Sequence, residues 1–444
     1  VESEVLRLGG GFGGKEDQAN AWAAMAALGS LLTGRAVKLV LPRKTDMSIT
    51  GKRHPYSSDF KIGLSEDLKI IFFEVMYFQN AGAYADLSTA ILERTLFHAT
   101  NSYYIPNVWA KAVSCRTNLP PNTAFRGFGA PQAMFVIESA IYEAARHVNI
   151  PAYIIQQKNL IHSGQQFPYG MQIQTDNATL CFEKAFKDYN VEKKIKEMEV
   201  FNIQNVNLKK GISVMPVCFG ISFTNTFLNQ ASALVHIYND GSVGISTGAV
   251  EMGQGVNEKI RKIVARVFGI STARVITQTT NTTRIANISP TAASTGTDLN
   301  GNATLLACKE IKQRLIKFLP KLIGEGSEEE YNIENESIIR SGKPMNINWN
   351  ELIMNAYKER INLSAHAFYV TPDIFFDRNT EKGIPFAYHV CGTAISEVTI
   401  DCLRGNYVID SVEVVHDAGT SIDEIIDIGQ MEGGILQGIG WMTM

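Results

Sequence analysis

The sequence predicts an α+β fold with mostly antiparallel and mixed sheets, on three observations. Strand-like and helix-like runs are interspersed along the whole chain rather than segregated or strictly alternating. Two sharp turn signals, 64-LSEDLK-69 and Asn239-Asp240-Gly241, sit inside alternating runs as in β-hairpins. Glycine or small-residue loops recur at widely separated positions, most of them opening into a helix-like run.

In chain order, Val5 to Leu8 reads as a strand, 9-GGGFGGKE-16 as a loop and Gln18 to Leu32 as an alanine-rich helix. Ala36 to Leu41 reads as a strand, and residues 52–77 as a hairpin whose second arm is Ile70 to Tyr77. The segment 92-LERTLFHAT-100 is a loop or short helix. A second glycine segment, 125-FRGFGAPQ-132, follows, with Pro131 placed to start the helix-like run Ala133 to His147. Polar residues 161–180 mark a domain boundary, dividing the chain into a first domain over 1–165 and a second over 176–444. Beyond it come extended structure from Cys218, a hairpin over His236 to Ser246, the loop 248-GAVEMGQG-255 and a helix from Asn257 to Phe268. Small residues 289–303 precede a helix from about Thr304 to Leu319. Residues 324–337 are acidic and read as a solvated excursion. Strands over Phe386 to Ile400 and Tyr407 to Val415 lead to a last glycine-rich loop over 427–440.

With 444 residues, the length suggests about two to three domains with ample core. The net charge of −3 argues against a nucleic-acid-coating protein, and the longest apolar run falls short of the roughly 20 residues of a membrane span. Six scattered cysteines without a C-x-x-C pattern point to buried thiols in a reduced cytoplasmic setting. Neither they nor the dispersed histidines compose a side-chain metal site. The chain starts on Val1 in mid-pattern and reads as a piece of something longer.

The glycines of 9-GGGFGGKE-16 offer bare backbone N–H groups to an anion or a large polar cofactor. Gly9, Gly14 and Lys15 spell a P-loop, but Glu16 stands where a magnesium-holding Ser or Thr belongs, and its carboxylate would repel phosphate. Gly9, Gly11 and Gly14 spell a dinucleotide fingerprint, but Ala36 to Leu41 runs into Pro42, Arg43 and Lys44 rather than an acid, which leaves an NADP variant. One phosphate needs one such loop, whereas a cofactor with several polar edges could use all of them.

The runs 9-GGGFGGKE-16, 93-ERTLFH-98, 117-TNLPPNTAFRGFGAPQ-132, 227-FLNQASALVHIYNDGSV-243, 251-EMGQG-255, 290-PTAAS-294 and 427-DIGQMEGG-434 resemble, in order, the molybdenum-binding part of the xanthine dehydrogenase/oxidase family of molybdenum hydroxylases. The resemblance implies mixed α/β domains holding a molybdenum–molybdopterin, with or without an added nucleotide. It implies hydroxylation of a purine such as hypoxanthine or xanthine at a ring carbon, with water as the oxygen source. Electrons would leave through Fe–S clusters to FAD on other domains or subunits, in a homodimer or higher heteromer. It assigns Gly11, Phe12, Gly13, Gln254, Ala292, Ala293 and Gln430 to the cofactor, with Phe12, Arg126 and Ala293 near molybdenum. Glu16 and Arg94 become the catalytic, substrate-facing pair, and Phe128, Phe223 and Thr224 hold the ring.

Two departures accompany the resemblance. The family's general-base glutamate, in a G-x-G-E-P run, and a metal-side glutamine before the first loop are both absent from these residues, so the chain alone is not expected to turn over. Three other readings stay open: a hydroxylase of an aldehyde or another N-heterocycle, an inactive cofactor-binding or assembly module, and an NADP-binding protein.

Overall fold

The computed structural model describes residues 2–444. The chain forms two compact units: one of Val1–Gly11, Asn225–Asp373 and Thr420–Gln437, the other of Phe12–Thr224, Ile374–Gly419 and Gly438–Met444. No helix among the described residues is long and apolar enough to cross a membrane.

The chain opens with β1 (Glu4–Val5), shorter than the strand expected to reach Leu8. After the glycine loop comes α1 (Ala19–Thr33), closed by Gly34 in the left-handed conformation that glycine adopts without a Cβ clash. Although α1 is strongly apolar, none of its residues is buried. The strand expected over Ala36 to Leu41 does not form: among the described residues no strand pairs with its backbone groups. A short helix, α2 (Arg43–Ile49), follows instead.

The hairpin of β2 (Tyr56–Leu64) and β3 (Ile70–Gly82) is present, with Phe73, Val75 and Tyr77 buried at every second position. The ambiguous segment at Leu92 is the helix α3 (Ser88–Phe97), and β4 (Val108–Arg116) joins β3 in parallel, making the sheet β2-β3-β4 mixed. The helix α4 (Ala130–His147) carries Pro131 in its first turn and buries Ala133, Ile137, Ile141 and Ala145 along one face, in a core shared with Phe73 and Val75. Then come α5 (Ala152–Asn159), α6 (Asn177–Asp188), α7 (Val191–Gln204) and β5 (Leu208–Ile221).

In the other unit, β6 (Gln230–Ile237) and β7 (Val243–Thr247) form the expected hairpin. They are followed by α8 (Val256–Phe268), β8 (Val275–Thr277) and β9 (Thr280–Asn281), which pairs with β1. The helix α9 (Gly296–Ile323) starts well before the apolar periodicity suggests, because its first turns are small and polar and Asp298 favours the helix N-terminus. Of the acidic residues 324–337, 324–329 are exposed as expected, but the rest is built into the fold. It includes β10 (Tyr331–Glu334), which joins β11 (Ser337–Arg340) and β12 (Lys343–Asn348) in a sheet. Arg340 binds both Glu325 and Glu330 while Tyr331 and Ile333 are buried, so opposite charge and two apolar anchors outweigh the acidic composition. The helix α10 (Trp349–Lys358) is capped by a reciprocal Asn348–Glu351 box, and β13 (Ser364–Val370) completes the sheet β13-β6-β7-β8. Trp349 is fully buried in this core and donates from Nε1 to Gly241 O at 2.7 Å.

The strands β14 (Phe375–Asp377) and β15 (Lys382–Ile384) form a small hairpin, and the long antiparallel strands β16 (Tyr388–Asp401) and β17 (Asn406–Asp417) make the sheet β17-β16-β5. The loop expected over residues 427–440 lies wholly inside the helix α11 (Glu424–Thr443). Each glycine weakens a helix by about 1 kcal/mol, but good helix formers (Gln430, Met431, Glu432, Leu436, Gln437) flank these five, two of which are adjacent, and the helix continues through them.

Candidate functional site

The side chains that the sequence assigns to substrate lie in the unit that begins at Phe12. There Arg94, in the last turn of α3, is only 2% exposed. Its Nη1 donates to Gly220 O at 2.8 Å, its Nη2 donates to Ser222 O, and its guanidinium lies 5.1 Å from the ring centroid of Phe219 and 5.2 Å from that of Phe386. Arg94 therefore grips the end of β5 just before Phe223 and Thr224, which are themselves buried. Its Nε has no hydrogen-bond acceptor among the described residues. His98, one turn on, accepts the Gly220 N–H on Nε2 at 3.1 Å, and burial together with the Arg94 charge holds its pKa well below the usual histidine range.

The same helix holds the second glycine segment. Thr95 Oγ1 lies 3.0 Å from Ile91 O of its own helix and 3.2 Å from Gly129 O, two acceptors for its one proton, and Gly129 packs so closely on α3 that a Cβ there would collide with Ile91 O. Phe128 has φ 53°, between Gly127 and Gly129 at φ 97° each, a backbone that few side chains adopt. Burial lowers the pKa of Arg126 in this turn. One helix thus anchors both phenylalanine segments, through the adjacent residues Arg94 and Thr95.

Glu16 is different in kind. Burial first, then the nearby carboxylates Asp17 and Asp86, push its pKa up to about 7, so it is poised between acid and carboxylate near neutrality. Asp86 is held by Thr123 Oγ1 at 2.6 Å and by Gln18 Nε2 at 2.7 Å. Sequence reasoning missed Gln18 and Asp86, because no local pattern announces that residue 86 comes to residues 16–18. Earlier in the loop Phe12 has φ 53° and is half exposed. Gly13 has φ 95° and packs so closely on Ala124 that an added Cβ would meet that backbone at 2.9 Å.

The other unit carries Gly11, Gln254, Ala292, Ala293 and Gln430. An added Cβ on Gly11 would stand 2.7 Å from Met252 Sδ, which ties the start of the first glycine loop to the third. In that third loop Glu251 Oε1 accepts from Gly253 N and Gly255 N, and Oε2 from Asn257 N, so one carboxylate caps α8. Gln254 spends its amide partly on its own loop, accepting from Met252 N at 2.7 Å and donating to Val250 O at 2.9 Å, which leaves a second N–H for a ligand. Gln430 Nε2 lies 3.4 Å from Gly253 O, and Lys259 pairs with Asp427 to hold α11 on α8. Ala293 and Ser294 both have positive φ, at 55° and 60°, in a turn closed by Thr295 N donating to Ala292 O at 3.2 Å.

Gly9 and Gly253 face open space where a Cβ would stand, and Gln254 keeps a donor in reserve. Such a set suits a group recognised by backbone and amide contacts rather than by side-chain ligation. No cluster of three or more His, Cys, Asp or Glu that could hold a metal ion occurs among the described residues.

Comparison with known proteins places the chain among molybdopterin cofactor-binding domains. The molybdopterin cofactor-binding domain family matches residues 1–160 and again residues 184–444. Xanthine dehydrogenase/oxidase of Gallus gallus is 41% identical over 440 residues, covering 99% of this chain and 31% of the relative. Xanthine dehydrogenase of Oryza sativa subsp. japonica is 40% identical over 444 residues, covering 100% of this chain and 31% of the relative. The chain thus spans about a third of the length of the curated relatives it matches. Among solved structures, quinoline 2-oxidoreductase from Pseudomonas putida 86 superposes with a TM-score of 0.87 at 21% identity, covering 99% of this chain and 57% of that one. Aldehyde oxidoreductase from Desulfovibrio gigas gives 0.82 at 23%, covering 98% and 44%. At such identities these two speak to the fold alone. With both cofactor-binding domain models matched across nearly all its length, the chain belongs to the xanthine dehydrogenase/oxidase family as its molybdopterin cofactor-binding part.

Proposed function

We propose that this chain is the substrate- and cofactor-binding part of a molybdenum hydroxylase that oxidises a purine at a ring carbon, with a first cofactor-binding domain over 1–165 and a second over 176–444. The observation that carries the substrate reading is α3, which fixes the segments of Phe128 and Phe223 through adjacent residues, in the unit that also holds Glu16 with its raised pKa. When bound, the pterin-held molybdenum supplies the two-electron oxidation. Gly11, Phe12, Gly13, Gln254, Ala292, Ala293 and Gln430 are the residues we assign to that group, with Arg126 near the metal. Phe128 and Phe223 hold a flat heteroaromatic ring, and Thr224 offers it a hydroxyl. Glu16, near half-protonated at neutral pH, can donate to a ring nitrogen or accept from a ring N–H. Arg94 acts mainly through β5: it places Phe223 and Thr224 and adds a buried positive charge that favours negative charge on the ring.

Electron transfer to Fe–S and FAD partners, an assembly of at least two subunits and a cytoplasmic setting complete the proposal; six cysteines, none in a disulfide, suit a reducing compartment. The test uses full-length protein. Denaturation should release molybdenum and a pterin, and Glu16→Gln should lower purine turnover by about 100-fold while leaving aldehyde turnover within about threefold. Equal losses on both substrates would remove the purine assignment.

A further inference from the structure

The stretch 51-GKRH-54 belongs to no motif singled out in the sequence, yet it touches the segments that carry Glu16, Arg94 and Phe128. Gly51 N donates to Gln18 Oε1 at 3.0 Å, two residues from Glu16, and an added Cβ there would stand 2.6 Å from Pro121 O. Lys52 O accepts from Thr123 N at 3.0 Å. His54, buried, meets Ser88 Oγ at 2.7 Å at the start of α3, and its carbonyl accepts from Gln132 Nε2 at 3.4 Å in α4.

Arg53 is the unusual member. Its guanidinium lies 4.3 Å from the ring centroid of Phe125 and 4.4 Å from that of Trp441, and Nη2 donates to Arg126 O at 2.7 Å. Nε and Nη1 are buried and have no acceptor among the described residues. Burial pushes the pKa of the group down to about 10. A guanidinium kept this way is costly, and two of its three contacts, Phe125 and Arg126, are with the residues that precede the left-handed turn Gly127–Phe128–Gly129. Within the turn Phe128 N donates to Phe125 O at 2.8 Å and Ala130 N to Gly127 O at 3.2 Å, and on its far side Gly129 O lies 3.2 Å from Thr95 Oγ1, so Arg53 holds the side of the turn that α3 does not.

We infer that Arg53 is a positioning residue for substrate: clamped between Phe125 and Trp441, it holds the Arg126 carbonyl and thereby sets the strained turn that presents Phe128. Its kinetic consequence rests on the purine reading; its structural consequence does not. Planar stacking on two rings combined with a directed N–H is a task for arginine that lysine cannot duplicate.

The experiment compares full-length parent, Arg53→Ala and Arg53→Lys by hydrogen exchange and by steady-state purine oxidation. Expected are exchange over residues 122–132 faster by about tenfold in Arg53→Ala and about threefold in Arg53→Lys, with molybdenum content unchanged. KM should rise by about tenfold with kcat changed less, because the ring clamp is loosened rather than the chemistry removed. Added ethylguanidinium should restore KM and exchange in Arg53→Ala. Exchange over 122–132 equal to the parent in Arg53→Lys would overturn the inference, and so would an undiminished kcat/KM in either variant that oxidises purine. Should Arg53→Ala fail to fold, Arg53→Lys decides alone. A molybdenum-loaded parent that oxidises no purine would remove the functional reading, and the exchange comparison would still decide the positioning one.

Discussion

Arg94 and Glu16 are the two charges that the sequence pairs as substrate residues, and the fold treats them oppositely. Arg94 is sunk in the core and gives two of its N–H groups to main-chain carbonyls at the end of β5. Glu16 is held near pKa 7 by burial, reinforced by like charges. A buried guanidinium that gives two of its N–H groups to backbone carbonyls is a structural fixture whose loss leaves those carbonyls unpaired. A carboxylate disfavoured by its surroundings is one that can exchange a proton at working pH. The difference separates a residue that builds the pocket wall from one that can take part in chemistry.

The largest effect that would sharpen this contrast is on folding. Arg94→Met should lower stability by about 3 kcal/mol or more, since hydrogen bonds to charged donors are worth about 1.5–3 kcal/mol each, whereas Glu16→Gln should not be destabilising. Denaturant unfolding checks both, and an Arg94→Met protein as stable as the parent would abolish the distinction.

The second effect concerns pH. Because the folded pKa of Glu16 lies above its ordinary value of 4.5, the folded state holds the proton more tightly than the unfolded chain. The stability this contributes is complete below about 4.5 and is lost as pH rises to about 7. Stability of the parent should therefore fall across that window relative to Glu16→Gln, by about 1 kcal/mol after allowing for partial solvent screening. Unfolding followed from about pH 4 to about pH 8 tests this, and parallel curves for the two proteins would contradict it.

The smallest effect is on the Glu16 titration itself. Asp86→Asn removes one of the like charges but not the burial that dominates, so the transition should move down by less than about one unit. Infrared or NMR titration of the Glu16 carboxyl would show the shift, and an upward movement would mean that Asp86 acts as a partner rather than an opponent.

Several elements are legible from local signals. The hairpin over β2 and β3, the helix after Pro131 and the β6–β7 hairpin follow from alternation, proline placement and an Asn-Asp-Gly turn. The family is legible because seven short runs keep their order, although each alone is weak. The misread stretches share a cause, a composition outweighed by neighbours. Ala36 to Leu41 has strand composition but no strand partner among the described residues, and residues 330–337 have solvent composition but find Arg340 and a core. Residues 427–440 have loop composition but enough helix formers to continue through their glycines.

Which residue types are available, and in what order, is written in the chain, and that suffices for the family and for naming the candidate site. The environments of those residues come from folding. Arg94 is fixed by carbonyls of Gly220 and Ser222, Glu16 is opposed by Asp86, Glu251 caps α8, and Arg53 is clamped between rings from distant segments. Identity is a local property of a chain, whereas burial, charge pairing and pKa depend on what non-local contacts bring within a few ångströms.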